Sequence, residues 1–165
     1  MTIRKPREIA RGLAAGARIL ALDLGTRTIG LALSDVGRTI ATPYLTIRRT
    51  KLKVDIGRIM GIIADQGVGA LVLGLPINMD DSEGPRCQAT RQFAADLLKV
   101  RDLPLAFWDE RLSSHAAETA LLEAALSPKR RAALIDKVAA AVILQGCLDF
   151  LGASEGGGGG GVGGN

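Results

Sequence analysis

Three apolar segments crowd into residues 19–47, and the links between them are only a few residues long. Ile19-Leu-Ala-Leu-Asp23 reads as a short strand and Gly25-Thr-Arg27 as a turn. Thr28 to Ser34 reads as a second strand, in which Leu31 and Leu33 alternate with Gly30 and Ala32. A Gly37-Arg38 turn leads into a third strand over about 39–47. Links this short cannot carry a parallel crossover, so the three strands must be antiparallel neighbours.

Beyond this unit the period changes from two to that of a helix. Lys51 to about Gln66 is amphipathic, with Val54, Ile59, Ile62 and Ile63 expected inward. Ala70-Leu-Val-Leu-Gly74 is an apolar strand that follows a helix, which predicts parallel pairing. A loop with Pro76, Asp80, Asp81 and Gly84 precedes a helix over 85–100. Leu105-Ala-Phe-Trp108 is a strand that ends at Asp109-Glu110. Ser113 or Ser114 caps a further helix, and a last one runs from Lys129-Arg130-Arg131 to about Leu151, with Val138, Ala139, Val142 and Ile143 as its buried stripe. The order βββ-α-β-α-β-α-α predicts an α/β fold: a five-stranded mixed sheet with helices on both faces. No internal repeat is visible.

Hydrophobic residues make up 47% of the 165, enough for one core, and aromatics only 3%, so that core must be aliphatic. No apolar run reaches the roughly 18 residues of a membrane span, and the N-terminus has no uninterrupted apolar stretch. A soluble, membrane-free protein is expected. Cys87 and Cys147 are far apart and outside any Cys-x-x-Cys spacing, which fits a reducing cytoplasm. With His115 the only histidine, a His-rich metal site is excluded.

Charge divides the chain unevenly. The net charge is +4; residues 1–18 hold five basic side chains against Glu8, and the rest is balanced. Residues 1–17 are expected to be a basic flexible arm, either a solvated leader or a contact to nucleic acid. Residues 18–152 are expected to be the folded domain. The glycine-rich stretch over 153–165 has no side chains to offset the entropy of ordering glycine, and is expected to be a disordered tail.

Three acids stand out against this pattern. Asp23 ends an apolar strand, where an ionised carboxylate must be exposed, paired or metal-bound; it also fits an ordinary strand-end turn. Asp109-Glu110 follows the last strand. Because side chains alternate, only one of the two can turn towards Asp23; both also fit a solvated loop. Asp136 borders the buried stripe of the last helix, where the helix dipole alone favours an acid. Taken together, a strand, a later strand end and the final helix can bring three carboxylates to one point. Divalent cations relieve their repulsion, and Mg²⁺ prefers oxygen ligands. Two such ions ~4 Å apart can activate a water and stabilise the leaving oxygen of a phosphodiester.

Four segments resemble, in order, the motifs of the YqgF/RuvX family of RNase H-like nucleases. They are Asp23-Leu-Gly-Thr-Arg-Thr-Ile-Gly-Leu-Ala-Leu-Ser-Asp35; Val72-Leu-Gly-Leu-Pro-Ile-Asn-Met79 with Ser82-Glu-Gly-Pro-Arg86; Asp109-Glu-Arg-Leu-Ser-Ser114; and Ile135-Asp-Lys-Val-Ala-Ala-Ala-Val-Ile-Leu-Gln145. The resemblance spans about 18–151. It departs from the family pattern at Ser113-Ser114, where threonines are usual, and at Asp80-Asp81-Ser82. It implies an RNase H-like fold, Asp23, Glu110 and Asp136 as catalytic metal-binding carboxylates, and a two-metal site for Mg²⁺ or Mn²⁺. It also implies a cytoplasmic nuclease that processes the 5′ end of pre-16S rRNA in ribosome biogenesis, with ribosomal particles as partners, or a Holliday junction resolvase acting on branched DNA.

Arg27, Arg86, Arg91, Arg111 and Arg130 are candidate phosphate contacts, although each also fits a solvated surface cation. Gly74, Pro76 and Gly84 read as loop-shaping residues. Trp108 reads as strand core, with stacking on a base as the alternative. Two competing functions remain. Asp-x-Gly-Thr at 23–26 also resembles the phosphate loop of sugar-kinase and actin-like ATPases, which use two lobes where this chain has room for one. The fold can also serve a non-catalytic rRNA-binding assembly factor. The expected state is a monomer or weak homodimer.

Overall fold

The computed structural model describes residues 3–113 and 128–156, with side chains over 3–113 and 137–153. In chain order the elements are β1 (Ile3–Arg4), a 3-10 turn at Pro6–Glu8, β2 (Arg18–Leu24), β3 (Thr28–Ser34), β4 (Ala41–Arg48) and α1 (Leu52–Gln66). There follow β5 (Val68–Leu75), α2 (Pro85–Val100), β6 (Leu105–Asp109), a 3-10 turn at Glu110–Leu112, and α3 (Pro128–Gly156). The strands form one sheet in the order β1-β6-β5-β2-β3-β4. β2, β3 and β4 pair antiparallel, as the short links require, and β5, β6 and β1 pair parallel.

The sheet has six strands where five were expected. The sixth comes from the supposed flexible arm: Ile3 and Arg4 pair parallel with Leu105 and Ala106. The same segment buries Ile9 completely, with Ala10 and Leu13 packed beside it. Burial of one such side chain is worth about 1.5–3 kcal/mol, enough to anchor a short segment. The dense cations between Arg4 and Arg11 hide this apolar spacing in the sequence.

α1 differs from expectation in register. Ile56, Ile59 and Ile63 are buried and Ile62 partly so, but Val54 is 52% exposed. Asp55 occupies the buried face instead. Its carboxylate accepts from the Thr50 backbone N–H and from Thr50 Oγ1 at 2.9–3.2 Å, which satisfies it at the entry to the helix. Gly67 closes α1 in the left-handed conformation, φ 64°, which glycine adopts without strain. α3 runs to Gly156, past the expected end at Leu151, so the expected tail begins later; residues 157–165 lie outside the described residues. The helix expected after Ser113, with His115, likewise falls on residues 114–127, outside those described.

Strand alternation sorts the core into two layers. Leu20, Leu22, Leu31, Leu71, Leu73 and Leu105 face α1 and α2. Ile19, Ala21, Ala32, Ala70, Val72, Ala106 and Trp108 face the other way, against Ala140, Ala141, Ile143, Leu144 and Leu148 of α3. No helix among the described residues is long and apolar enough to cross a membrane.

Candidate active site

Alternation along β2 places Asp23 on the same face as Ile19 and Ala21, under α3. On β6 the same count runs Ala106, Trp108, Glu110. The two acids therefore rise on the α3 face from strands separated only by β5. They meet: the Glu110 carboxyl group hydrogen-bonds to Asp23. Both line a cleft of ≈ 700 Å³ with Pro76, Ile77, Met79, Arg86, Arg111, Ser113 and the α3 residues Ala139, Val142 and Ile143.

Two carboxyl groups in contact cannot both ionise at low cost. The Glu110 carboxyl is pushed up to about 7, first by burial, then by the negative charge of Asp23 and the hydrogen bond to it; Arg86 opposes the shift. Below about pH 7 Glu110 therefore keeps a proton with which it can donate to Asp23. Asp109, next in sequence, points elsewhere. Its carboxylate caps the 110–112 turn by accepting from the Arg111 backbone N–H at 2.9 Å, and it pairs with the Arg111 guanidinium. Of the Asp109-Glu110 pair, only Glu110 faces Asp23, as alternation demands.

The expected third acid, Asp136, belongs to α3 one turn before Ala139 and two before Ile143, both of which line the cleft. Its side chain, like that of Arg130, lies outside the described residues. Among the described residues no three His, Cys, Asp or Glu side chains form a metal-binding group. The donors that do converge, the half-buried carboxyl groups of Asp23 and Glu110, are hard oxygen ligands of the kind Mg²⁺ and Mn²⁺ prefer, and they fit such an ion.

The candidate phosphate cations separate into distinct roles. Arg86, exposed in the first turn of α2, lines the cleft and acts electrostatically on Glu110. Arg111 lines the cleft too, but its guanidinium is engaged. It donates to Asp109 at 2.8 Å, to Asp81 at 2.7 Å and to the Asn78 carbonyl at 3.1 Å, tying the end of β6 to the loop that carries Met79. Arg91 pairs bidentately with Glu83 at 2.6 and 2.9 Å, lies over the Phe107 ring at 4.9 Å, and does not line the cleft. Arg27 is exposed and also outside it. Arg49, which no sequence signal singles out, donates to the Gly25 carbonyl at 2.7 Å and so fixes the turn that follows Asp23. Trp108 is 6% exposed and packs in the α3 layer, so the core reading of this residue holds.

The mixed sheet with α3 across one face is an RNase H-like fold. Among solved structures the chain resembles Thermus thermophilus RuvC in complex with a Holliday junction substrate, with a TM-score of 0.56 at 12% identity over 85% of this chain and 96% of that one. It also resembles the yeast mitochondrial Holliday junction resolvase, with a TM-score of 0.51 at 11% identity over 92% and 86%. The family model described as "RuvX: Holliday junction resolvase" matches residues 17–150. A protein of Paramagnetospirillum magneticum named "Putative pre-16S rRNA nuclease" is 58% identical over 90% of this chain and 96% of its own length. One of the same name from Rhodospirillum rubrum is 51% identical over 92% and 94%. The chain belongs to the RuvX family, and its activity is that of a hydrolase of phosphodiester bonds.

Proposed function

We propose that this protein is a divalent-metal-dependent endonuclease that processes the 5′ end of pre-16S rRNA, in the cytoplasm and on precursor ribosomal particles. The observation that carries the reading is the Asp23–Glu110 pair at the base of an open cleft with Arg86 at its rim. The RNA substrate rests on the naming of relatives at 51–60% identity. Asp23 and Glu110, with Asp136 from α3, would hold Mg²⁺ or Mn²⁺. Bound there, the ion supplies a water of lowered pKa and neutralises charge on the phosphate.

The residues themselves set the stage for that chemistry. Arg86 offers a guanidinium to a non-bridging phosphate oxygen next to the carboxylates. Arg111 holds the 76–84 loop in place, so the cleft wall is fixed before substrate arrives. Glu110 must lose its proton before it can bind a cation, so cation binding releases a proton near neutral pH. The test is cleavage of a precursor 16S transcript and of a four-way DNA junction, side by side, with Mn²⁺, with Mg²⁺ and with chelator. Metal-dependent cutting of the transcript, lost in Asp23→Asn, supports the proposal. Preferential cutting of the junction would turn the reading to a resolvase, and binding without cutting to an assembly factor.

A further inference from the structure

We infer that Gly74 is a positioning residue of this site: the side chain it lacks is what lets Glu110 reach Asp23 across the strand between them. The inference rests on the proposed metal-dependent reading. β5 lies between β6 and β2. Leu22 pairs with Leu73, so Asp23 and Gly74 are the next residues along those strands; on the other side Gly74 pairs with Trp108 and Leu75 with Asp109. Gly74 thus sits on the line from Glu110 to Asp23, on the α3 face, where Ala70 and Val72 precede it. The two acids rise from strands two spacings apart, roughly 10 Å, a span that Glu110 crosses over the bare backbone of Gly74.

Glycine is a poor strand former and needs a reason here. Conformation is not the reason: Gly74 is not among the residues with positive φ, so any residue could adopt its backbone. Space is. A Cβ at Gly74 would stand 2.8 Å from Glu110 Oε1, 3.2 Å from Glu110 Cγ and 2.5 Å from Ile143 Cδ1. The first two atoms belong to the carboxylate arm and the third to the helix above it. Any side chain at 74 displaces one or both.

Two explanations predict different behaviour. If Gly74 serves only the packing of α3, removing Ile143 Cδ1 repairs the substitution. If it positions Glu110, that repair restores the fold and not the site. Ile143→Val removes the Cδ1 atom. We therefore compare wild type, Ile143→Val and Gly74→Ala/Ile143→Val, the last two also with Glu110→Ala, by thermal melting and by calorimetric titration with Mn²⁺. Gly74→Ala/Ile143→Val should bind Mn²⁺ at least ~10-fold more weakly than Ile143→Val alone, as expected when the support of a ligand is removed, and kcat should fall more than KM changes. Adding Glu110→Ala should raise its melting temperature by more than the same change raises that of Ile143→Val, because nothing is left for the new Cβ to displace; this comparison holds even if the double variant melts too low for titration. Mn²⁺ affinity equal to that of Ile143→Val, or a melting temperature that Glu110→Ala raises no more than it raises that of Ile143→Val, would overturn the inference and leave the proposed function standing. Wild-type protein that binds no Mn²⁺ would overturn both.

Discussion

The two faces of the sheet are built from different residues for different ends. Towards α1 and α2 the strands present Leu20, Leu22, Leu31, Leu71 and Leu73, each fully buried. Towards α3 they present Ala21, Ala32, Ala70 and Ala106 between the larger Ile19, Val72 and Trp108, then Gly74, with Asp23 and Glu110 at the strand ends. Large side chains fill the space between sheet and helices and supply most of the apolar burial. Small ones let α3, itself rich in alanine over 139–141, sit close to the sheet, and they leave the strand ends free of bulk where two carboxylates must meet. One face holds the fold and the other holds the chemistry on the same strands, residue by alternate residue.

If that division is right, a truncation on the leucine face is a stability lesion alone. Leu71→Ala should cost about 2–5 kcal/mol of folding free energy, read by denaturant unfolding, while Mn²⁺ affinity of the folded protein stays at the wild-type value. A matching loss of Mn²⁺ affinity would show that the two faces are coupled.

A charge removal on the α3 face should do the reverse. Asp23→Asn should lower cleavage at least ~100-fold, about 2.7 kcal/mol of barrier. Stability without metal should hold or rise, because a repulsive partner of Glu110 is gone. Asp136→Asn should behave alike if α3 contributes the third ligand. Asp149, further along α3, accepts from Gln145 Nε2 at 2.9 Å, away from the cleft, and Asp149→Asn should cut at the wild-type rate. Wild-type cleavage by folded Asp23→Asn would remove the carboxylates from the mechanism.

The N-terminal segment sharpens the comparison, because it joins the α3 layer from outside the main fold. Ile9 is fully buried in that layer. Ile9→Ala should cost about 2 kcal/mol, at the low end for a buried isoleucine since a short edge segment can relax, with cleavage unchanged. A melting temperature equal to wild type would mean that the segment detaches in solution.

The antiparallel pairing of β2, β3 and β4 was legible because the links over 24–40 are too short for a parallel crossover; Asp23 and the Asp109-Glu110 pair stood out because they end apolar strands, and the choice of Glu110 came from the family resemblance. What it hid depended on partners distant in the chain. Arg111 looked like a phosphate cation; its engagement with Asp81, thirty residues earlier, is visible only once the loop folds back. Val54 looked inward because it is apolar, whereas Asp55 takes the buried place by virtue of Thr50. Gly74 looked like a loop-shaping residue, since the atoms that forbid its Cβ belong to Glu110 and Ile143.

The smallest expected effect is a pH dependence that only the α3 face should generate. The Glu110 carboxyl, ordinarily near 4.5, is raised to about 7 in the folded protein, chiefly by burial and then by Asp23. Between those values the folded state binds a proton that the unfolded chain has lost. Stability therefore falls as pH rises from 4.5 towards 7, and above 7 the folded protein carries the full cost of an ionised Glu110 beside Asp23. Without metal, the melting temperature should drop by a few degrees between pH 5 and pH 8, and Glu110→Gln should flatten this slope. Saturating Mn²⁺ should reverse it, because the cation binds the deprotonated carboxylates and gains affinity as pH rises. Leu71→Ala should lower the whole curve without changing its slope, since no carboxyl group of the pair touches that face. A slope that survives in Glu110→Gln would place the titration in some other group and sever the link between the Asp23–Glu110 pair and the stability of the fold.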